Sequence, residues 1–364
     1  EYMKLPDAQG AVKAILPALL YFTGIFIAVH LEAKKLGLKG VPRELLPPSR
    51  LLVRDCYLLI PLFRLVWLVS SGSKTMSLSA AYSLLAAIAV GFVNFFLQGK
   101  RGEGDTQPMT TGKALGNAGK RSFFSAVESL EAGSRGAITV AVACSMAGII
   151  AGCITVTGLA SILIDAIVQL AGNATIVGLV LTMLCCIVLG MGVPTTANYC
   201  IMASTCAPIL IQLGFPLVAA HFFVFYFGIV ADITPPVALA AYAGSAIAKS
   251  DPMKTGINAT KLAIAAFIVP YIFAMNPSML LMDQGVLAAI QVIITSCLGI
   301  FGIAAALEGY VVARAPWWQR ILLAAGGLCL IDPSLMTDIV GVAAIVIVVV
   351  LQIVMRKRSK PVAA

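Results

Sequence analysis

The residue types best suited to bind an ion or a small molecule interrupt an apolar segment at residues 190–199, in the run GMGVPTTANY. Two glycines relax the backbone and Pro194 removes a hydrogen-bond donor, so we expect a helix to break here. Thr195, Thr196 and Asn198 follow, where the next helix should start. Because lipid cannot satisfy backbone polar groups, the carbonyls freed by such a break must face a protein cavity or an ion.

A second interruption lies at residues 228–237. It contains Asp232, Thr234 and the adjacent prolines Pro235 and Pro236, which a regular helix does not accommodate. An acidic residue inside an apolar envelope usually marks an ion site or a pathway. Two breaks of this kind predict the binding site of a secondary transporter, in which unwound carbonyls hold sodium and helix N-termini face anionic groups.

The two breaks together predict one composite site for a cation and an anion. Sodium is a hard cation that prefers oxygen, and the partial positive charge of a helix N-terminus, about half an elementary charge, suits a carboxylate. Asp232 is equally suited to capping the helix that follows it, so its role stays open. The predicted sodium ligands are Gly190, Met191, Gly192, Gly228, Asp232 and Thr234. The predicted substrate contacts are Thr195, Thr196, Asn198 and Pro235.

Two other functional classes compete with this interpretation. If the glycines and prolines only shape packing, the chain is a membrane scaffold subunit that transports nothing. An intramembrane enzyme is disfavoured because the sequence has only two histidines, His30 and His221, and no HExxH motif or paired catalytic aspartates in facing spans. We expect no cofactor, and sodium only as a coupling ion.

The amino-acid composition indicates whether these helices lie in water or in a membrane. The chain has 364 residues, 60% of them apolar and 11% charged, with a mean hydropathy of +0.98. Soluble proteins are typically about 45–50% apolar and about 25% charged. This composition excludes a water-soluble enzyme, a nucleic-acid binder and a disordered protein. It predicts an all-α polytopic membrane protein with broken helices.

Apolar runs of the right length mark the membrane spans, since a bilayer core about 30 Å thick needs about 20 apolar residues in a helix. Residues 321–331 form a shorter run that Trp317 and Trp318 would hold at the headgroups. Residues 161–170 are also short and predict one arm of a re-entrant hairpin ending at Gly172–Asn173. The candidate spans are 11–31, 51–69, 78–96, 136–159, 262–275 with its flanks, 286–307 and 339–355.

Clusters of basic residues flank these spans, and they account for much of the net charge of +9. The positive-inside rule predicts that the loops and the C-terminus carrying them face the cytoplasm of an inner membrane; contact with lipid headgroups is a related alternative. The clusters are Lys34, Lys35, Lys39, Arg43, Arg50 and Arg54; Lys100, Arg101, Lys113, Lys120, Arg121 and Arg135; and Arg356, Lys357, Arg358 and Lys360.

The polar segment 98–134 divides into two parts. Its first half holds six glycines between residues 99 and 119 and is typical of a flexible linker. Its second half places Phe123, Phe124, Val127 and Leu130 at helical spacing, which predicts an amphipathic helix on the inner surface, or otherwise a solvated connector. We therefore divide the chain into N-terminal helices with two basic loops (1–135), a core with both breaks (136–275) and C-terminal helices with a basic tail (276–364).

The motifs GMGVPTTANY and DITPPVALAAYAGSAIA resemble the large, DctM-like membrane subunit of tripartite ATP-independent periplasmic (TRAP) transporters, in the form fused to the small subunit. The likeness covers most of residues 1–278. It implies a sodium-driven importer of small organic acids that works by elevator motion and receives substrate from a periplasmic binding protein.

The resemblance assigns the breaks at 190–196 and 234–236 to the second of two repeats in that family. The family's first-repeat hairpin and first Pro-Pro motif have no counterpart in this sequence. We therefore expect a C-terminal portion that holds about half of the site. The expected partners are the binding protein, the remainder of the fused permease (first repeat and small-subunit helices) and membrane lipid, with no nucleic acid.

Overall fold

The computed structural model describes residues 5–40, 53–71, 74–102, 109–172, 174–236, 238–282, 286–332 and 334–358, with residues 42 and 46. This part of the chain is helical and contains no β-strand, which confirms the all-α prediction. Of the residues named above, Arg43, Arg50, Asn173 and Lys360 lie outside it. The helices are α1 (Asp7–Leu36), α2 (Ile60–Ser70), α3 (Met76–Arg101), α4 (Thr111–Thr157), α5 (Leu159–Ala171), α6 (Thr175–Gly190), α7 (Thr195–Thr205), α8 (Ala207–Gln212), α9 (Leu217–Ala231), α10 (Leu239–Ala248), α11 (Pro252–Leu262), α12 (Ile264–Met275), α13 (Val286–Glu308), α14 (Trp317–Cys329) and α15 (Leu335–Arg358).

Helical segments long and apolar enough to cross a membrane occur at five places in the described residues, which confirms a polytopic membrane protein. The predicted span at 51–69 is shorter than expected, because a 3₁₀ turn at Cys56–Leu59 precedes α2 and Pro61 lies in its first turn. Residues 51 and 52 lie outside the described part. The five segments are Gln9–Leu36, Ser77–Arg101, Pro252–Met275, Ala289–Glu308 and Met336–Val354.

The chain divides into two compact units. Of the described residues, 13–39 and 143–358 belong to the larger unit, and 5–12 and 40–142 belong to the smaller one. The smaller unit packs α2 against α3, and the Tyr57 hydroxyl donates to Asn94 Oδ1 at 2.9 Å. Both helix breaks and all the groups discussed below as the candidate functional site lie in the larger unit.

Helix α4 corrects two expectations. The glycines from residue 112 onward lie in this helix and not in a flexible linker, and the amphipathic segment continues without interruption into residues 136–157. The physical reason is that Thr111–Thr157 contains no proline, while an isolated glycine costs a helix only about 1 kcal/mol. The helix ends where Gly158 adopts a positive φ of 68°.

Helices α5 and α6 form the predicted helical hairpin, which turns at Gly172. With 13 and 16 residues, each helix is about 20–24 Å long, shorter than a bilayer core of about 30 Å. Asp165 and Gln169 are exposed on α5. Helix α6, which ends at the first break, is therefore too short to cross a bilayer core.

The last three helices, α13–α15, form a closely packed group that we call the C-terminal block. Close approach depends on glycines: a Cβ at Gly341 would lie 2.6 Å from the Gly326 carbonyl oxygen, and one at Gly326 would lie 2.9 Å from Ala344 Cβ. Polar side chains here bond to one another and to the backbone, although Gln319 Nε2 and Glu308 Oε1 have no hydrogen-bond partner among the described residues. Gln352 accepts from the Val312 N–H at 3.0 Å and donates to Gln319 Oε1 at 2.8 Å.

Four charged residues of the larger unit meet where α1, α11 and α13 come together, and we call them the charge cluster. The Glu308 carboxylate, with 1% of its side chain exposed, lies 2.7 Å from Lys261 Nζ and 3.8 Å from Lys35 Nζ. Lys35 also pairs with Glu32 at 2.8 Å. From the sequence, we used the basic residues only to predict which loops face the cytoplasm, so this pairing was not predicted.

Candidate functional site

The first predicted break is present. Helix α6 ends at Gly190 and α7 begins at Thr195, with Gly192 at a positive φ of 74° between them. Only glycine adopts that conformation readily, so the second glycine of the motif is what turns the chain. No backbone N–H of the described residues donates to the Met191 or Gly192 carbonyl. The break thus leaves polar backbone groups at the start of α7.

The second predicted break is also present, between α9 and α10, although Val237 lies outside the described residues. Its backbone is held locally: the Ala238 N–H donates to the Thr234 carbonyl at 3.1 Å, and the Ala240 N–H donates to the Asp232 carbonyl at 3.2 Å. The residue at the N-cap of α10 is Ala238, with a positive φ of 33°. The two predicted roles of Asp232, cation ligand and helix cap, stay predictions.

The two breaks line a common cavity of about 500 Å³. The first turns of α7 and α10 both border it, and Asp232 lies between them in the chain. Since these residues are far apart in sequence, the fold itself brings the two breaks together. The lining residues are Gly192, Val193, Pro194, Thr195, Asp232, Leu239 and Ala240.

Asn198 is placed differently from the expectation. It is buried, with 1% exposed, and does not line the cavity. Its Nδ2 donates to the Gly228 carbonyl at 3.0 Å and, more weakly, to the Gly190 carbonyl at 3.5 Å. We had expected these two carbonyls to be free. Instead, both accept a hydrogen bond from the same side-chain amide. The Asn198 Oδ1 atom has no hydrogen-bond partner among the described residues.

The other predicted residues fall into two groups. Thr195 is exposed in the cavity, and its neighbour Thr196 is exposed outside the lining set. Thr234 is half-buried and its hydroxyl donates to the Val230 carbonyl at 2.7 Å, which leaves the oxygen lone pairs available. Pro235 faces Gly256 of α11 and does not line the cavity. The roles of all these residues in binding stay predictions.

Helix α11 braces the second break through a residue that the sequence did not indicate. The Thr260 hydroxyl of α11 donates to the Ile233 carbonyl at 2.9 Å. On α10, the Tyr242 hydroxyl donates to the Pro236 carbonyl at 2.6 Å. No local pattern marks Thr260, because its partner lies 27 positions earlier in the chain. A bulkier residue at Gly256 would also approach the Pro235 ring, so α11 is fitted closely to this break.

An all-α membrane protein in which two broken helices meet at one cavity has the architecture of a secondary transporter. The family model described as "Tripartite ATP-independent periplasmic transporter, DctM component" matches residues 3–285. The chain belongs to this family and is a permease component of a TRAP transporter, as the motifs indicated. Components of this kind work with a periplasmic binding protein and a small membrane subunit. No curated protein and no solved structure matches the chain.

Proposed function

We propose that this permease component imports small organic acids, with substrate delivered by a periplasmic binding protein and uptake driven by a sodium gradient. The observation that carries the proposal is the common cavity, which places the first turns of two helices and one acidic side chain around the same space. Chemically, this arrangement offers partners to an anion and to a cation together.

The helix starts support the anion. The first N–H groups of a helix have no partner within it, and the N-terminus carries about half a positive elementary charge. Helices α7 and α10 have 11 and 10 residues and begin beside the cavity. A substrate carboxylate would accept from those of these N–H groups that have no partner, which excludes the Ala240 N–H because it donates to the Asp232 carbonyl. The Thr195 hydroxyl would be a further donor, with Thr196 next to it.

Asp232 supports the cation. It lines the cavity and makes no ion pair among the described residues. Two carboxylates about 5 Å apart would repel each other by about 3 kcal/mol at an effective dielectric constant of about 20. Sodium bound by Asp232, the Thr234 oxygen and the Met191 and Gly192 carbonyls would remove that repulsion. Sodium would thereby raise the affinity for the organic acid, which is the requirement for coupled uptake.

The remaining parts of the proposal concern assembly and orientation. We place the basic loops and the C-terminus in the cytoplasm, in line with the positive-inside rule, and the protein in the inner membrane. The other repeat and the small-subunit helices would supply the rest of the site, since transporters of this type bind substrate at the interface between repeats. Elevator motion is the expected transport mode.

One observation favours a second candidate, a scaffold that does not transport. Asn198 and Thr260 satisfy carbonyls in both breaks, as they would if the breaks only shaped packing. The two candidates differ in one respect. A scaffold subunit would not show sodium-dependent uptake.

The test is uptake by the full-length transporter in proteoliposomes with its binding protein, with a panel of radiolabelled carboxylates and a sodium or choline gradient. We expect uptake only with sodium. Asp232→Asn should raise the sodium concentration for half-maximal uptake by about tenfold, because it removes a charged ligand. The matched control is Asp165→Asn, at an exposed acid of the same unit outside the cavity. Equal uptake in sodium and choline would contradict the proposal.

A further inference from the structure

A groove in the smaller unit lies between α3 and the first part of α4. Two contacts show that these helices run antiparallel. A Cβ at Gly99 would lie 3.7 Å from the Ala114 Cβ, and Arg121 Cζ lies 5.2 Å from the centre of the Phe95 ring. Beside these contacts the helices leave a space of about 170 Å³, which we call the α3–α4 groove.

The α3 side of the groove is apolar. Leu84, Ile88 and Phe95 line it, together with Gly91, where an added Cβ would meet nothing within 4 Å. Leu84 is 48% exposed, and Leu130, which lines the groove from α4, is 53% exposed. Helix α3 is long and apolar enough to cross a membrane, so an apolar groove along it is suited to a lipid acyl chain.

The α4 side of the groove is polar. Ser122, Ser125 and Ser129 line it, and their hydroxyls make no hydrogen bond among the described residues. Arg121 precedes the first of these serines, and a cation–π contact with Phe95 holds its guanidinium beside the groove. Guanidinium and hydroxyl donors side by side are groups that bind a phosphate.

The end of the groove at Arg121 carries an excess of positive charge. The acidic residues of α4 are Glu128 and Glu131; neither lines the groove, and Glu131 is already held in an ion pair at 2.8 Å. Phe95 lies six residues, or about 9 Å, before Arg101 at the end of α3, so this end is near the lipid headgroups. Basic clusters at a membrane surface attract anionic lipids. The basic residues here are Lys100, Arg101, Lys113, Lys120 and Arg121.

We propose that the α3–α4 groove binds one anionic phospholipid. The lipid phosphate accepts from Arg121 and from the hydroxyls of Ser122 and Ser125. An acyl chain lies along the apolar side, past Gly91 toward Leu84. A free phosphate ion would use only the polar side and leave the apolar side empty, whereas a lipid occupies both. The bound lipid joins α3 to α4 and thereby stabilises the smaller unit.

The experiment measures thermal unfolding of the full-length transporter in a non-ionic detergent at increasing concentrations of phosphatidylglycerol. Phosphatidylcholine with the same acyl chains and inorganic phosphate at the same ionic strength are the comparison ligands. We expect phosphatidylglycerol to stabilise the protein more than either, because it alone combines a net negative charge with acyl chains.

The first variant tests the phosphate contact. Arg121→Gln should raise the phosphatidylglycerol concentration for half-maximal stabilisation about tenfold, because a charge-assisted hydrogen bond is lost. The matched control is Lys113→Gln, which removes the same charge from an exposed position of the same helix outside the groove. It should change this concentration by about twofold or less, since it acts only through screened attraction.

The second variant tests the apolar side without changing any charge. Gly91→Leu fills the groove and should also raise the half-maximal concentration about tenfold. Without lipid it should unfold no earlier than the wild type, because leucine favours a helix more than glycine does. Its control is Gly116→Leu on α4, where an added Cβ also meets nothing within 4 Å and which does not line the groove. This variant should keep the wild-type lipid dependence.

Several results would overturn the proposal. Equal shifts for Arg121→Gln and Lys113→Gln would mean that the basic cluster attracts lipid without a defined site. Stabilisation by phosphatidylcholine or inorganic phosphate equal to that by phosphatidylglycerol would exclude an anionic lipid as the occupant. A wild-type protein that phosphatidylglycerol does not stabilise, or a Gly91→Leu variant with unchanged lipid dependence, would show that the groove does not hold a lipid.

Discussion

The two breaks and the C-terminal block differ in where their polar groups come from and in whether a cavity lies beside them. At the breaks, helix ends expose backbone carbonyls, and single neutral side chains such as Asn198 and Thr260 satisfy some of them. In the block, continuous helices leave few such groups. Some polar groups of the block bond to one another or to the backbone, as in Gln352 with Gln319 and in Arg320, which donates to the Ala306 carbonyl at 2.7 Å. Gln319 Nε2 and Glu308 Oε1 have no hydrogen-bond partner among the described residues.

The cavity borders the breaks, and no residue of the C-terminal block lines it. Incompletely satisfied polar groups beside a cavity can be completed by a ligand, whereas tight glycine-mediated packing resists rearrangement. The match to the DctM family ends at residue 285, immediately before α13. The block therefore lies outside the matched range, and Glu308 of the charge cluster ties it to α11 inside that range.

The largest effect on stability is expected at the charge cluster. Lys261→Met leaves the buried Glu308 carboxylate with Lys35 at 3.8 Å as its nearest cation. Breaking a buried pair costs about 3–5 kcal/mol, and we expect about 2–4 kcal/mol because about a third of the Lys261 side chain is exposed. Thermal unfolding of the full-length protein measures this loss.

Two further variants make that measurement decisive. Lys254→Met, at an exposed lysine of the same helix, should change stability by less than 0.5 kcal/mol, about the usual range for surface sites. Lys261→Met combined with Glu308→Leu should recover most of the loss, since no buried charge is then left unpaired. A double variant as unstable as Lys261→Met alone would show that the cluster does not act through charge pairing.

A smaller effect is expected from packing in the block. In Gly341→Ala the new methyl group would meet the Gly326 carbonyl and the Leu330 side chain, both at 2.6 Å. Overpacking of this kind costs about 1–3 kcal/mol. The control is Gly152→Ala on α4, where a Cβ meets nothing within 4 Å and should be neutral or slightly stabilising. Equal stability of the two variants would mean that the block is not closely packed.

The breaks could be predicted from sequence because glycine and proline act locally. The ends of α6 and α9 follow from the residue types around 190–194 and 228–236. The continuity of α4 was missed because six glycines suggested a linker, whereas helix propensity without proline was enough to keep it helical.

The contacts that complete the site could not be predicted in this way. Asn198 with Gly228 and Thr260 with Ile233 join residues 30 and 27 positions apart, and which helix faces meet depends on tertiary packing. Glu308 with Lys261 spans 47 positions. A sequence pattern shows that such groups exist near helix ends, but it carries no information on which of them become partners.

The last prediction tests whether the breaks act on ligands while the block acts on stability. Thr234→Ala removes one of the proposed ligand oxygens and little volume, and it should raise the sodium concentration for half-maximal uptake about fivefold, corresponding to about 1 kcal/mol. Thr196→Ala, at an exposed position beside the start of α7, should weaken the apparent affinity for substrate by a smaller factor and leave the sodium dependence close to that of the wild type.

Both measurements use the full-length transporter, with sodium varied at saturating substrate and then substrate varied at saturating sodium. Because neither hydroxyl is fully buried, both variants should unfold within about 1 kcal/mol of the wild type. Lys261→Met should show the reverse pattern, with reduced stability and unchanged half-maximal concentrations in the protein that remains folded. If Thr234→Ala and Thr196→Ala kept the wild-type dependence on both ligands, the assignment of the cavity to sodium and substrate would be wrong.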